Sequence, residues 1–306
     1  SLAGELSPGL QIAQYETTNV PNTVEPWTQS WYVLEAHAVG SVWVASRISL
    51  TLETSIDLAH TDRPQAAPLL SVRGLGVPGW ADDVGFDVAP GEILGFAGLV
   101  GAGRTEMFEG LLGLRPHRVE ALLLAGRPLR IRSPREAARA GITYLSEDRK
   151  GKGLHTSFGL AENLTLMALE RYAAPWLRPA RERAALVAVV QEFGIRTGSL
   201  DMPAASLSGG NQQKLALAKV LHPDPRVVVL DEPTRGVDIG AKRDIYFLIQ
   251  RLARAGKAVI VISSELVELI GICHRIVVMR AGRQQAVLAA EQLTEEALIA
   301  HATGIH

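Results

Sequence analysis

The stretch "LSGGNQQKLALAKVLHPDPRVVVLDEPTRGVD", residues 207–238, decides the fold. Ser208 stands where a helix takes its N-cap oxygen, and helical spacing then runs to Leu221. Gly209 and Gly210 bare the backbone N–H groups at that helix start, the arrangement with which helix N-termini hold phosphate. "RVVVLDEPT", residues 226–234, is a continuous apolar run, the pattern of a strand buried on both faces of a parallel sheet. An ordinary cap accounts for Ser208. It does not account for paired glycines and "NQQ" ahead of a strand that ends in two carboxylates. Asp231 at the strand end suits Mg²⁺, and Glu232 beside it is placed to orient or deprotonate a water.

Working outward, "EILGFAG" at 92–98 is a short apolar run that stops at a glycine-rich turn, "GLVGAGRTE" at 98–106. Gly98, Gly101, Gly103 and Thr105, with Ala102 between the last two glycines, fit G-x-x-x-x-G-K-[ST] except that Arg104 holds the lysine position. The glycines let backbone N–H groups curl round a phosphate, and Thr105 can offer its hydroxyl to Mg²⁺. A dinucleotide fingerprint needs glycine at 106, which is Glu106. "GITYLSEDR", "KAVIVISSE" and "RIVVMRAGR" read as further short strands; 161–170, 180–193 and 239–256 read as helices. This alternation predicts a parallel sheet with helices on both sides and ligands beyond the strand ends. Ser133 with Pro134 starts another helix, and Asp238 or Asp244 caps the one after Glu232. Trp80 reads as a core contact of a small sheet, with adenine stacking as the alternative, and His274 reads as structural.

Composition limits the alternatives. Of 306 residues 47% are hydrophobic and 21% charged, so the chain is globular. A net charge of −1 supplies no field to recruit nucleic acid. Cys273 is the one cysteine, which suits a reducing compartment, and no run is apolar enough for a membrane span or signal peptide. A soluble, cytoplasmic chain is expected. Residues 1–66 stand apart: seven acidic residues against Arg47 and Arg63, three of the five tryptophans, and no recognisable chemistry. They read as a partly ordered extension.

These motifs, in this order, resemble the ATP-binding-cassette (ABC) ATPases from about Leu69 to Gly304. The resemblance makes Gly98, Gly101, Ala102, Gly103, Arg104, Thr105 and Glu106 the phosphate loop and puts Glu147 at the Q-loop position. It makes Leu207, Ser208, Gly209, Gly210 and Asn211 the signature motif. Asp231 and Thr105 become Mg²⁺ ligands, Glu232 the catalytic carboxylate, Asp238 the D-loop aspartate and Ser264 the switch position. "EDRKGKGL", "LSGGNQQK" and "DEPTRGVDIGAK" are especially similar to the second half of the tandem ATP-binding subunits of bacterial ribose, galactose and xylose importers; halves from nucleoside importers are also similar. The resemblance implies a P-loop NTPase (RecA-like) three-layer α/β core over 67–304, with a small antiparallel β-subdomain and a helical subdomain at about 155–212. It implies ATP and Mg²⁺ as cofactors, a second cassette paired head to tail, integral-membrane permease subunits and, indirectly, a secreted sugar-binding protein. The chain would sit peripherally on the cytoplasmic face of the inner membrane. The cassette with a complete phosphate loop would be a separate polypeptide, or the chain is a fragment.

Three departures qualify this expectation. Arg104 keeps a positive charge, but its planar fork does not replace a compact ammonium. Ser264 stands where a hydrolysing cassette has its switch histidine, and Glu147 where it has glutamine. The chain is therefore expected to donate a signature helix while turning over slowly at its own loop. The alternative is a regulatory cassette that binds nucleotide and never hydrolyses it. A soluble cassette acting on ribosomes or DNA fits less well, for want of basic tails.

Overall fold

Two sheets organise the residues described by a computed structural model, namely 64–173, 176 and 178–304. The extension expected at 1–66 lies outside them except for its last three residues. The first sheet is antiparallel, in the order β2-β1-β4-β5, from β1 (Leu70–Val77), β2 (Ala81–Val88), β4 (Ala121–Leu124) and the two-residue β5 (Arg127–Pro128). The second has six strands in the order β10-β9-β3-β8-β7-β6: β3 (Ile93–Gly98), β6 (Ile142–Leu145), β7 (Val227–Asp231), β8 (Ala258–Ile262), β9 (Arg275–Arg280) and β10 (Arg283–Ala289).

All neighbours from β9 to β6 pair in parallel. Every residue of β7 and β8 is buried, as expected of central strands without a solvent face. The strand order has a chemical consequence. β8 lies between β3, which leads into the phosphate loop, and β7, which ends at Asp231. Register pairs Phe96 with Ile262 and Ile262 with Asp231. The loop after β8, Ser263–Ser264, thus emerges between the glycine turn and the carboxylates.

The helices are α1 (Arg104–Leu111), α2 (Pro134–Arg139), α3 (Leu160–Thr165), α4 (Pro179–Glu192), α5 (Gly209–Leu221), α6 (Ile239–Arg254), α7 (Leu266–Ile272) and α8 (Glu295–Thr303). Ser208 caps α5, Ser133 caps α2 and Asp238, rather than Asp244, caps α6. α1 contacts β1 and β2 of the antiparallel sheet as well as β3. Phe86, Phe96 and Phe108 meet there edge to face or tilted, with ring centroids 4.9–5.7 Å apart. This aromatic trio sits in one core cluster with Leu94, Val229, Ile260 and Ile262, so the small sheet braces the helix behind the phosphate loop.

Two readings need correction. The sheet is not wholly parallel: "RIVVMRAGR" is β9 plus a reversal, and β10 returns antiparallel along its edge. Ala281 and Gly282, both with positive φ, make that two-residue turn. The helix expected at 161–170 ends at Thr165, followed by a 3₁₀ turn at Leu169–Arg171. Thr165 turns its hydroxyl back onto the Ala161 carbonyl at 2.9 Å, a bond that competes with helix continuation.

Candidate functional site

The glycine turn at 98–103 leads from β3 directly into α1. Gly103 caps α1 in the left-handed region at φ 88°, and Thr105 and Glu106 lie in the first turn. Gly101 also has positive φ, and Leu99, Val100 and Gly101 form the exposed tip. Gly103 itself is buried beneath the Trp80 carbonyl, whose oxygen would lie 2.0 Å from a Cβ placed there. Trp80 is not the core contact expected of it. Its ring is 41% exposed on the turn between β1 and β2, with the Arg115 guanidinium 5.6 Å from the ring centroid. It therefore adjoins the phosphate loop through its backbone and leaves an aromatic face partly open.

Arg104 is buried and turned inward. Its guanidinium donates to the Ser263 carbonyl at 2.6 Å and reaches the Phe96 carbonyl at 3.5 Å. Burial lowers its pKa against the opposing charges of Glu232, Asp231 and Glu106, leaving an arginine that stays protonated near neutrality. The side chain thus ties the phosphate loop to the end of β8.

Asp231 is fully buried, and burial pushes its carboxyl up against hydrogen bonds from Tyr144 and Thr105 and the Arg104 charge. Its Oδ2 accepts from the Tyr144 hydroxyl at 2.7 Å; its Oδ1 is buried without a hydrogen-bond partner. A buried carboxylate oxygen left open beside a threonine hydroxyl is a hard oxygen donor set, which fits Mg²⁺. Glu232 adopts φ 48°, a conformation uncommon outside glycine, and burial raises its pKa. It accepts from the Ser264 hydroxyl at 3.2 Å. Asp231, Glu232, Arg104, Thr105 and Ser264 are therefore brought together at the strand ends.

The second glycine motif lies at the start of α5. Ser208 and Gly209 are exposed, while Leu207 and Gly210 are buried. The Ser208 hydroxyl oxygen accepts from the Asn211 backbone N–H at 3.4 Å and from its side-chain amide at 3.0 Å; Asn211 in turn accepts from the Arg196 N–H at 2.9 Å. A Cβ on Gly210 would lie 3.3 Å from Asp238 Oδ2, so the capping turns of α5 and α6 are neighbours.

Glu147, expected at the Q-loop position, pairs with Arg235, just after the carboxylates. A π-helical turn, Arg149–Gly153, follows. Arg149 donates to Gln213 of α5 at 3.1 Å, and Lys152 pairs at 2.8 Å with Glu109, a buried acid of α1 that also pairs with Arg115. The segment is thus fastened to the elements carrying both glycine motifs.

Sequence reasoning missed Tyr144, Glu109 and Glu268. Glu268 of α7 is buried and accepts from Thr234 at 2.7 Å, Ser263 at 3.0 Å, Tyr246 at 2.6 Å and Lys242 at 2.9 Å. It joins the segment after Glu232 to the loop after β8 and to α6. Burial alone would raise its pKa, but the bonds from Tyr246, Thr234 and Lys242 hold it below the usual carboxylate value. Its stabilisation is therefore complete above about pH 4.3, the unfolded value, and is lost as pH falls through the lower folded one. Glu268→Gln is expected to reduce stability by roughly 1.5–3 kcal/mol near pH 7. Urea unfolding followed from pH 7 to pH 3 should show that difference shrinking only below about pH 4.3.

Known proteins align with this arrangement. The family profile for ABC transporters matches residues 81–235. Ribose import ATP-binding protein RbsA 2 of Rhizobium meliloti (strain 1021) is 47% identical over 239 residues, covering 78% of this chain and 46% of that protein. Ribose import ATP-binding protein RbsA 3 of Rubrobacter xylanophilus is 48% identical over 237 residues, covering 78% and 48%. The chain spans about half the length of the curated relatives it matches. The solved ATP-binding subunit of an ABC transporter superposes with a TM-score of 0.64 at 23% identity, covering 77% of this chain and 99% of that one. The ATP-binding cassette MJ1267 gives 0.63 at 18%, with the same coverage. At these identities the superpositions speak for the fold, a P-loop NTPase core. No helix among the described residues is long and apolar enough to cross a membrane.

Proposed function

The chain belongs to the ABC transporter ATP-binding family, and from that premise we propose that it is the ATP-binding component of a bacterial monosaccharide importer. It acts on the cytoplasmic face of the inner membrane, within a cassette domain running over 67–304 whose helical subdomain occupies about 155–212. It pairs head to tail with a second cassette and moves a membrane permease that receives its sugar from a secreted binding protein. Nucleotide phosphates lie on the backbone amides of the glycine turn and on the N-terminus of α1, the Ala102 N–H being held by the Leu99 carbonyl at 3.0 Å.

Thr105 and Asp231 would hold Mg²⁺, which when bound neutralises charge on the β- and γ-phosphates. Glu232 orients the attacking water and, with a pKa raised by burial, is suited to accept its proton. Ser208 and Gly209, exposed at the start of α5, offer a hydroxyl and an amide to the nucleotide of the opposing cassette, with Gly210 buried behind them.

The observation that carries the functional asymmetry is the posture of Arg104. One nitrogen of its guanidinium donates to the Ser263 carbonyl and reaches the Phe96 carbonyl, both beneath the loop, while Ser208 and Gly209 at the other motif remain exposed. The chain therefore completes a partner's site better than it fires its own. Purified alone, it should bind ATP and turn over at least a hundredfold below about one per second. Turnover near that rate, abolished by Glu232→Gln, would overturn the asymmetry. ATP binding with no hydrolysis even beside a complete cassette would instead identify a regulatory partner, a reading favoured by the bond between Ser264 and Glu232.

A further inference from the structure

We propose that Tyr144 is a positioning residue for the metal-binding carboxylate, its hydroxyl fixing Asp231 so that one oxygen is committed to the phenol and the other is kept for the cation. This rests on the reading that Asp231 holds Mg²⁺.

The sheet register makes the contact possible. β6 pairs in parallel with β7, Tyr144 opposite Val229. Partners in a parallel pair share a face, and so do residues two apart on one strand. Tyr144, Val229 and Asp231 therefore line the same side, and the long phenol reaches forward to the last of them at 2.7 Å. Asp231 has no exposure, so bulk solvent does not compete with that donor.

The division of labour at the carboxylate is uneven. Oδ2 is satisfied by Tyr144, whereas Oδ1 is buried with no partner. A carboxylate held by only one atom can rotate about its terminal bond; a second anchor on Oδ2 fixes which oxygen remains free. A phenol carries its proton near neutrality, so Tyr144 is the donor in this bond and the carboxylate oxygen the acceptor. Groups that hydrogen-bond a metal-ligating carboxylate orient it, and their loss commonly costs 10- to 100-fold in metal affinity. Tyr144 also lies three residues before Glu147, so the strand that leads to the Q-loop position grips the metal carboxylate as well.

The test uses the whole chain, Mn²⁺ as the probe and electron paramagnetic resonance to count free Mn²⁺ in the presence of ATP. Nucleotide affinity is measured separately in EDTA. Tyr144→Phe removes the hydroxyl and keeps the ring; Tyr144→Met removes it and fills the space with a flexible chain. Both are expected to weaken Mn²⁺ binding by about tenfold or more, with nucleotide affinity in EDTA within about twofold of the parent. In the Asp231→Asn background Tyr144→Phe should change Mn²⁺ binding no further. Unchanged Mn²⁺ affinity, or equal losses of Mn²⁺ and metal-free nucleotide affinity, would overturn the proposal and leave Tyr144 a packing residue. A parent chain that binds neither ATP nor Mn²⁺ with ATP would fail earlier and separately, sinking the nucleotide-site reading itself.

Discussion

Gly103→Ala is expected to abolish ATP binding and to lower the unfolding temperature by about 5–15 °C. Two independent effects combine at this position. Its φ of 88° belongs to the left-handed region, which costs a side-chain-bearing residue roughly 1–2 kcal/mol. The new methyl would also lie 2.0 Å from the Trp80 carbonyl oxygen and 3.6 Å from the Gly282 Cα. Neither neighbour is a flexible side-chain tip, so the turn carrying Trp80 or the start of α1 must move. Overpacking of this kind costs about 1–3 kcal/mol. The movement falls on the amides that would face the phosphates, so binding is lost along with stability. Gly126→Ala separates the two effects: its φ is 74° but a Cβ there meets nothing within 4 Å. It should show the strain alone, with ATP binding intact by equilibrium dialysis. A Gly103→Ala protein that binds ATP as tightly as the parent would show that this helix start is not the phosphate site.

How much of this was legible in the sequence varies by element. The continuous apolar run of β7 and the serine before two glycines at α5 carry their structure locally, so Val227–Asp231 and Gly209–Leu221 form where pattern and capping chemistry predict. β10, "RQQAVLA", has too little alternation to announce itself, and only its pairing with β9 makes it a strand. The antiparallel sheet was expected from family resemblance, because glycines at 74 and 76 interrupt any alternation in β1. The charged side chains lie just after strand ends, where polar residues following apolar runs are legible, but their partners are not. Arg104 to Ser263, Tyr144 to Asp231 and Glu109 to Lys152 join residues 159, 87 and 43 positions apart. Such pairs depend on strand order and register, which no local periodicity encodes. The π-helical turn at Arg149–Gly153 is similar: "RKGKG" reads as a loop until Asp148 accepts from the Gly151 N–H and closes it.

The combined change Arg104→Lys with Ser264→His is expected to raise ATP turnover at the chain's own loop by at least about a hundredfold. In the present arrangement Arg104, the cation of the 98–106 turn, is held under it, donating to Ser263 at 2.6 Å, and Ser264 offers a short hydroxyl that donates to Glu232. Lysine brings a compact ammonium on a flexible stem in place of arginine's planar guanidinium. Histidine restores a longer side chain that can donate towards the γ-phosphate and release Glu232 to a water. Each such contact is worth roughly 2.7–4 kcal/mol in the transition state, which is where the hundredfold figure originates. The two groups serve one event, so their effects do not add: each single change should stay within about tenfold of the parent. Arg104→Lys alone leaves the Ser263 carbonyl without its donor, and turnover must therefore be normalised to the nucleotide-bound fraction. Adding Glu232→Gln to the double variant should return turnover to background, since the gain runs through that carboxylate. If the double variant binds ATP and is no faster, Arg104 and Ser264 are not what limits the site. The π-helical junction that fastens α1 to α5 through Lys152 and Arg149 would then be the place to look for the restraint.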